Sequence, residues 1–203
     1  MPATIIEREF TREADCCAAV AWWNYWDHEH VDVLHDTSYV DMQVLYEDRR
    51  MAVVLHTFRV PLFRFLKSQS ISTMIMEDAE TLRLYNVGLF AIPSLTTIRI
   101  REDRPDHCVF TMNYKFVLRG WRKLLAPLLG RLIARWNAQV WEEDLPLKLR
   151  RQKMLRHGFR DFVGMPERIA DRGQAGPLEF KLPLARVPDS PVNAFRQRLE
   201  AGK

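Results

Sequence analysis

The spacing of apolar residues divides the chain into one strand, a helical stretch, a series of strands and a long helix. Residues 3–10 alternate weakly between apolar and polar side chains, which predicts a first strand. Residues 15–35 carry apolar side chains at helical spacing without Gly or Pro, which predicts one helix or two short ones broken near residues 31–34. Alternation then returns and predicts six further strands, over residues 38–47, 50–60, 68–76, 81–90, 94–101 and 107–117.

From about residue 121 to residue 157 the apolar spacing is helical again. Pro146 lies inside this stretch and predicts a kink, because proline removes an internal hydrogen bond. The predicted apolar face consists of Leu125, Leu128, Leu129, Leu132, Ile133, Trp136, Val140 and Trp141. After residue 162 the chain is punctuated by Gly and Pro. We therefore expect one domain over residues 1–162, followed over residues 163–203 by an extended arm with a short helix near residues 192–201.

The short connections between the predicted strands indicate an antiparallel sheet. Such a sheet needs cover on one face, and the long apolar helix is the one predicted element large enough to provide it. We expect an α+β fold in which a curved antiparallel sheet of about seven strands wraps on the long C-terminal helix. A ligand pocket would lie between the helix and the sheet.

Composition limits the class of protein. The 203 residues are 47% hydrophobic, with 30 basic and 26 acidic residues and a net charge of +4, which suits one filled core and does not indicate a nucleic-acid binder. The three cysteines form no CxxC pair, which fits a reducing compartment. The N-terminal residues do not have the pattern of a signal peptide, and no apolar run is long enough to span a membrane. These features predict a cytoplasmic protein.

Residues 24–35 concentrate candidate chemistry, because they hold three of the six histidines and three acidic residues. Imidazole nitrogens and carboxylate oxygens are suitable ligands for Fe(II), Zn(II) or Mn(II). The alternative interpretation is a set of solvated polar residues on a helix beside a buried aromatic stripe. His28 and Glu29 rotate away from the face that Asp27 and His30 share, and we expect this pair to face solvent.

The order of elements resembles the helix-grip fold of the Bet v 1 and START-like superfamily, also called SRPBCC. Within it, the motif N-x-x-D-x-x-H-x-x-x-x-H, formed by Asn24, Asp27, His30 and His35, resembles the catalytic domain of Rieske-type non-haem iron, aromatic-ring-hydroxylating oxygenases. The resemblance implies that His30 and His35 are metal ligands and that an acid on the long helix is the third. Asp144 matches that position best.

Glu143 is the alternative third ligand. Asn24 and Asp27 occupy the positions of the family's other catalytic residues.

Physical reasoning adds a constraint on this arrangement. Two neutral imidazoles and one carboxylate form the facial triad that Fe(II) uses in non-haem oxygenases. A regular helix would turn His35 away from His30 by about 140°, so the helix must end or bend between them. Asp27 and His30 share a helix face, so Asp27 can accept a hydrogen bond from the far ring nitrogen of a ligand.

The sequence departs from the family in one respect, since a Rieske cluster needs two Cys and two His and no such Cys–His pairs occur here. A mononuclear Fe(II) enzyme of this type would need electrons from a separate ferredoxin-like protein. The basic run over residues 148–156 has two interpretations. It is a docking face, for such a donor or for an anionic surface, or it is a solvated helix face.

The predicted function is a non-haem iron oxygenase-like activity on a hydrophobic or aromatic small molecule. The alternatives are a non-redox START-like protein that binds a lipid, steroid or polyketide, and a cyclase-type enzyme that uses His30 or Asp144 as acid–base groups. The resemblance also implies a homo-oligomer.

Overall fold

The computed structural model describes residues 2–35, 39–47, 50–60, 63–88 and 91–158. Seven strands and three helices occur in these ranges. The strands are β1 Thr4–Ala14, β2 Tyr39–Glu47, β3 Met51–Val60, β4 Phe63–Met76, β5 Thr81–Val87, β6 Pro93–Arg104 and β7 His107–Leu118. The helices are α1 Ala18–Trp26, α2 Glu29–Leu34 and α3 Ala126–Arg156, and a 3₁₀ segment, Gly120–Leu125, precedes α3. The predicted arm over residues 163–203 lies outside the described residues.

The strands form one curved antiparallel sheet in the order β1-β7-β6-β5-β4-β3-β2. Consecutive strands from β2 to β7 are neighbours, and β1 closes the order by pairing with β7 from Thr4 opposite Leu118 to Ala14 opposite Cys108. The predicted α+β architecture is therefore confirmed. The alternation predicted the strands well, although β4 begins at Phe63, five residues before the predicted strand over residues 68–76.

Helix α1 fills the space between the sheet and α3, because it is apolar all round. Eight of its nine residues are buried, and Trp22 and Trp23 are among the largest fully buried side chains. No side chain within the helix caps its first amides. Gln152 of α3 instead accepts from the Cys17 amide at 2.9 Å, and Glu102 of β6 accepts from the Ala18 amide at 3.0 Å. These distant carboxamide and carboxylate oxygens replace a local cap and hold α1 against both layers.

The long helix α3 runs from Ala126 to Arg156 and continues through Pro146 without ending. Its buried positions are Gly130, Ile133, Asn137, Asp144, Lys148 and Gln152. Four of these six are polar, so the helix turns a polar seam toward the interior in its second half. Among the described residues, no helix is long and apolar enough to cross a membrane.

Candidate metal centre

The helical stretch breaks twice, and the breaks place the two histidines of the motif. Helix α1 ends at Trp26, and Asp27 leaves the helical region with ψ of 87°. Helix α2 begins at Glu29, contains His30 and ends at Leu34. His35 follows with φ of −102° and ψ of 31°. Because His35 lies outside the helix, its ring comes to 5.5 Å from that of His30, measured between centroids.

Asp144 on α3 is the third member of this cluster. Its Oδ1 lies 3.4 Å from His30 Nε2 and 3.1 Å from His35 Nε2. One ligand atom from each of the three residues lies within 4.8 Å of the other two. His35 and Asp144 are buried, and His30 is nearly so. The three residues that the family resemblance singled out as ligands are thus brought together from distant parts of the sequence.

Each imidazole is held through its other ring nitrogen. His30 Nδ1 donates to the backbone carbonyl of Asp27, and His35 Nδ1 donates to Glu143 Oε2 at 2.5 Å. A carbonyl or ionised carboxylate oxygen can only accept, so Nδ1 carries the proton in both rings. In a neutral ring the Nε2 lone pair is therefore left for a ligand, which is the arrangement that metal-binding histidines usually have. A protonated ring instead presents Nε2–H to the Asp144 carboxylate.

The Asp144 carboxylate is held in a similar way from its other oxygen. Lys148, one turn further along α3, donates from Nζ to Asp144 Oδ2 at 3.1 Å. The Lys148 side chain is 0% exposed, and its ammonium lies 5.5, 5.8 and 5.2 Å from the ring centroids of Tyr25, Phe110 and Trp141. This aromatic cage stabilises the buried cation. Lys148 therefore fixes Oδ2 and leaves Oδ1 directed at the histidines.

The electrostatics keep the carboxylate ionised. Burial alone would raise the pKa of Asp144, but the two imidazoles and the Lys148 ammonium outweigh burial and hold that pKa well below its usual range. For His35, burial opposes the charged form, yet the neighbouring Asp144 and Glu143 carboxylates raise its pKa. Burial lowers the pKa of Lys148, and Asp144 opposes this shift. In the absence of a metal the site is a hydrogen-bonded ionic network.

These residues fit a divalent transition-metal ion. Ligands about 2.0–2.2 Å from one ion lie roughly 2.8–3.6 Å from each other when they are adjacent in octahedral or tetrahedral coordination. The separations of 3.1 and 3.4 Å between Asp144 Oδ1 and the two Nε2 atoms match this range. Although it is buried, Asp144 Oδ1 accepts no hydrogen bond from any residue that the structure describes. An acceptor left without a proton donor beside two imidazole nitrogens is the arrangement expected of a metal ligand.

The remaining predicted residues take other places. Asp27 contacts His30 through its backbone carbonyl, whereas the sequence suggested its carboxylate. Glu143 holds His35 from behind, and its Oε1 accepts from Gln139 at 2.9 Å. Asn24 is buried, and neither its Oδ1 nor its Nδ2 has a hydrogen-bond partner in the described part of the chain.

Two expectations about neighbouring residues were wrong. His28 was expected to face solvent, but it is buried, because the break at Asp27 and His28 turns it inward against Trp26. Lys148 was expected to lie on the surface with the rest of the basic run, either in a docking face or in a solvated helix face. It lies in the core. The spacing of four between Asp144 and Lys148 is a readable signal for this ion pair, since residues i and i+4 meet on one helix face.

The site borders the inner face of the sheet near its β2 and β3 edge. His35 packs against Tyr39 of β2, with 6.1 Å between ring centroids, and Tyr39 packs against His56 of β3 at 5.6 Å. A separate cleft of about 710 Å³ is formed by residues of strands β3 to β6. It is lined by Leu55, Gln69, Ser70, Ile71, Thr73, Tyr85, Asn86, Val87, Pro93 and Ser94, none of which belongs to the cluster.

Solved structures share this architecture. The Zhui aromatase/cyclase from Streptomyces sp. R1128 aligns with a TM-score of 0.63 at 13% identity, over 73% of this chain and 96% of that chain. Norcoclaurine synthase from Thalictrum flavum, in complex with dopamine and hydroxybenzaldehyde, aligns with a TM-score of 0.52 at 17% identity, over 72% and 88% of the two chains. Human STARD10 aligns with a TM-score of 0.51 at 15% identity, over 74% and 68%.

The chain has the helix-grip fold of Bet v 1 and START-like proteins. No protein-family model matches its sequence, and no curated protein sequence matches it either. At identities of 13–17% these helix-grip structures establish the architecture. The function has to be argued from the side chains of this chain.

Proposed function

We propose that this helix-grip protein binds one Fe(II) ion through His30, His35 and Asp144 and acts as an oxygenase-like enzyme on a hydrophobic or aromatic small molecule. The observation that carries the proposal is the convergence on Asp144 Oδ1, a buried carboxylate oxygen that has two imidazole Nε2 atoms at 3.4 and 3.1 Å and no hydrogen bond of good geometry among the described residues. Bound Fe(II) would supply open coordination positions and redox chemistry. The two Nδ1 hydrogen bonds and Lys148 would hold the three ligands in place.

The source of electrons is part of the proposal. The sequence has no paired Cys–His motifs for a Rieske cluster, so a redox cycle would need a separate ferredoxin-like donor. The homo-oligomer is likewise a prediction of the resemblance. The substrate would lie between α3 and the inner face of the sheet, beside the aromatic side chains of Tyr39 and Tyr114.

Anaerobic reconstitution with Fe(II), followed by removal of excess metal and elemental analysis, tests the metal site. We expect about one iron per chain, and near-background iron in His30→Ala, His35→Ala and Asp144→Ala. His107→Ala is the matched control, because His107 is also buried beside two carboxylates, with Asp103 at 2.6 Å and Glu13 at 3.8 Å. Background iron in the wild-type protein, or loss of iron in the control alone, would refute the proposal.

A second candidate is a non-redox function, either binding of an apolar molecule or cyclase-type acid–base chemistry. Two observations favour it. The aligned structures include an aromatase/cyclase and a norcoclaurine synthase. His35 lies between two carboxylates that raise its pKa, which suits a proton donor.

Ligand binding by metal-free protein separates the two candidates. Binding of the apolar probe 1-anilinonaphthalene-8-sulfonate can be titrated in chelator-treated protein and again after reconstitution. The second candidate predicts that binding of the probe is unchanged by metal and that the protein retains no stoichiometric iron. Stoichiometric iron together with a shifted probe affinity supports the first candidate.

A further inference from the structure

A row of large apolar side chains lies exposed where the 3₁₀ segment meets α3. Trp121 is 57% exposed and Leu124 is 82% exposed. Residues three apart eclipse each other in a 3₁₀ helix, so both point to the same side. Helical spacing then continues the row through Leu128, which is also exposed, to Arg131 and Arg135. We call these side chains the apolar–basic patch. It consists of the apolar residues Trp121, Leu124 and Leu128 and the basic residues Arg122, Lys123, Arg131 and Arg135.

The patch is presented by an anchored element. Leu125 and Leu129 face the opposite way from Leu124 and pack on a small core of Ile6, Ile92 and Leu118. Gly120 begins the segment with φ of 58°, a conformation that side chains other than glycine rarely adopt. The outward position of Trp121 and Leu124 is therefore built into the fold.

The charged residues that surround the patch along the chain are all basic, and one of them, Lys115, forms an ion pair with Glu7 of β1 at 3.1 Å. Residues 107–141 contain no Asp or Glu. The same stretch holds six basic residues, which are Lys115, Arg119, Arg122, Lys123, Arg131 and Arg135. Exposed Trp and Leu side chains among Lys and Arg are the composition of helices that lie in the interface of an anionic membrane.

The patch also has a defined place on the molecule. Strand β7 ends at Leu118, which pairs with Thr4 of β1. At the same end of the sheet, β5 ends and β6 begins at the paired residues Val87 and Pro93. Ile92 of that connection touches the anchored side of the segment. A surface bound by the patch would thus face the end of the sheet from which α3 departs.

We propose that the apolar–basic patch binds an anionic lipid bilayer, with Trp121 and Leu124 entering the interfacial region and the Lys and Arg side chains contacting lipid headgroups. The inference rests on exposure and charge and is independent of the metal site. A second copy of the chain is a poor partner for this patch, because a two-fold symmetric interface would bring the same Lys and Arg side chains of both copies together. A bilayer accepts both the protruding apolar side chains and the positive charge.

Co-sedimentation of the full chain with vesicles tests the proposal. One set consists of phosphatidylcholine alone, and the other contains phosphatidylglycerol as a minor component. We expect binding to the second set, weak binding to the first and a decline with added salt, because the attraction to the headgroups is screened. Equal binding to both sets, or binding to neither, would overturn the proposal.

Variants locate the contact. Trp121→Ser with Leu124→Ser removes the apolar contribution, and Arg122→Glu with Lys123→Glu reverses charge within the patch. Each pair should weaken binding to anionic vesicles by about tenfold or more. The matched controls are Leu149→Ser, which replaces a 41% exposed leucine on the same helix, and Arg150→Glu with Lys153→Glu, at exposed positions outside the patch.

The controls should stay within about twofold of wild type, as expected for changes away from the contact. Loss of binding in the controls as large as in the patch variants would show general electrostatic attraction and refute the assignment. Circular dichroism melting of every variant separates lost binding from lost folding. A patch variant that folds and binds as well as wild type would also refute it.

Discussion

At the scale of single residues, Lys148 has two opposite effects on the candidate metal centre. Its ammonium holds Asp144 Oδ2 at 3.1 Å and so sets the direction of the carboxylate. The same positive charge repels a divalent cation at Oδ1 and partly neutralises the carboxylate when no metal is bound. The residue that stabilises the metal-free protein would thus also limit the affinity of the proposed site for a metal ion.

Replacing Lys148 by Met tests this balance. Breaking a buried ion pair leaves an uncompensated charge, so we expect metal-free Lys148→Met to lose about 3–5 kcal/mol of unfolding free energy. A bound divalent cation would replace the missing charge, so the loss should be smaller in metal-loaded protein. Urea unfolding of both forms measures this difference. An equal loss with and without metal would place the cation elsewhere.

His56 allows a prediction about pH. Burial lowers the pKa of His56 to about 4. The groups that face it are Tyr39 and His28. The pKa of His28 is also lowered to about 4, mainly by burial and further by His56 and His30. Above pH 6.5 the His56 imidazole is neutral in both the folded and the unfolded chain. Between about pH 6.5 and 4 the unfolded chain gains a proton that the folded one does not, so stability falls by up to about 3 kcal/mol per histidine.

His56→Gln should therefore flatten the loss of stability between pH 7 and pH 4.5 in metal-free protein, leaving the part due to His28. The slope of unfolding free energy against pH, measured by urea titration at several pH values, checks this. An unchanged slope would mean that His56 titrates normally in the folded protein.

The motif named His30 and His35, the family resemblance added Asp144, and these three residues converge in the structure. Their supports could not be read in the same way. The carbonyl that holds His30 is a backbone atom, so no side chain reports it. Lys148 is a charged residue in the core, and a charge pattern alone assigns such residues to the surface.

At the scale of elements, α3 shows where apolar periodicity loses its power. The pattern placed Leu128 and Trp136 on a broad inward face, yet both are exposed. The inward seam instead carries Asn137, Asp144 and Lys148. Apolar periodicity identifies the buried face of a helix when the interior is apolar. Near the site the interior is polar, so the buried face of α3 could not be identified from its apolar residues alone.

Gly130 on this helix gives a test of how tightly α3 packs on the sheet. A methyl group there would lie 2.9 Å from Arg8 Nη2, at the end of a flexible side chain. Arg8 is exposed and can move, whereas alanine gains about 0.5–1 kcal/mol over glycine inside a helix. We expect Gly130→Ala to raise unfolding free energy by up to about 1 kcal/mol, measured by urea titration. A loss would show that Arg8 is fixed in place.

At the scale of the whole molecule, the strands and the helix order followed from the sequence because alternation and helical spacing are local. The packing of α1 did not, since its first amides are capped by Gln152 and Glu102 from distant elements. The candidate metal centre has the same character. It joins α2, α3 and the β2 edge of the sheet, so a bound metal ion should change the stability of the whole domain.

Metal binding should therefore raise the global stability of the protein. A ligand at about 100 times its dissociation constant adds about 2.7 kcal/mol if it binds the folded state alone. We expect Zn(II), used as a redox-inert probe, to raise the thermal midpoint of wild-type protein and of His107→Ala. It should not raise that of His35→Ala, which has lost one ligand.

A chelator should reverse the shift in the two responding proteins and leave His35→Ala unchanged. Zinc can also bind the unfolded chain through its cysteines and histidines, which would lower the thermal midpoint by about the same amount in the two histidine variants. The comparison between the two histidine variants removes this contribution. A rise of equal size in His35→Ala and His107→Ala would assign the stabilising zinc to another part of the chain.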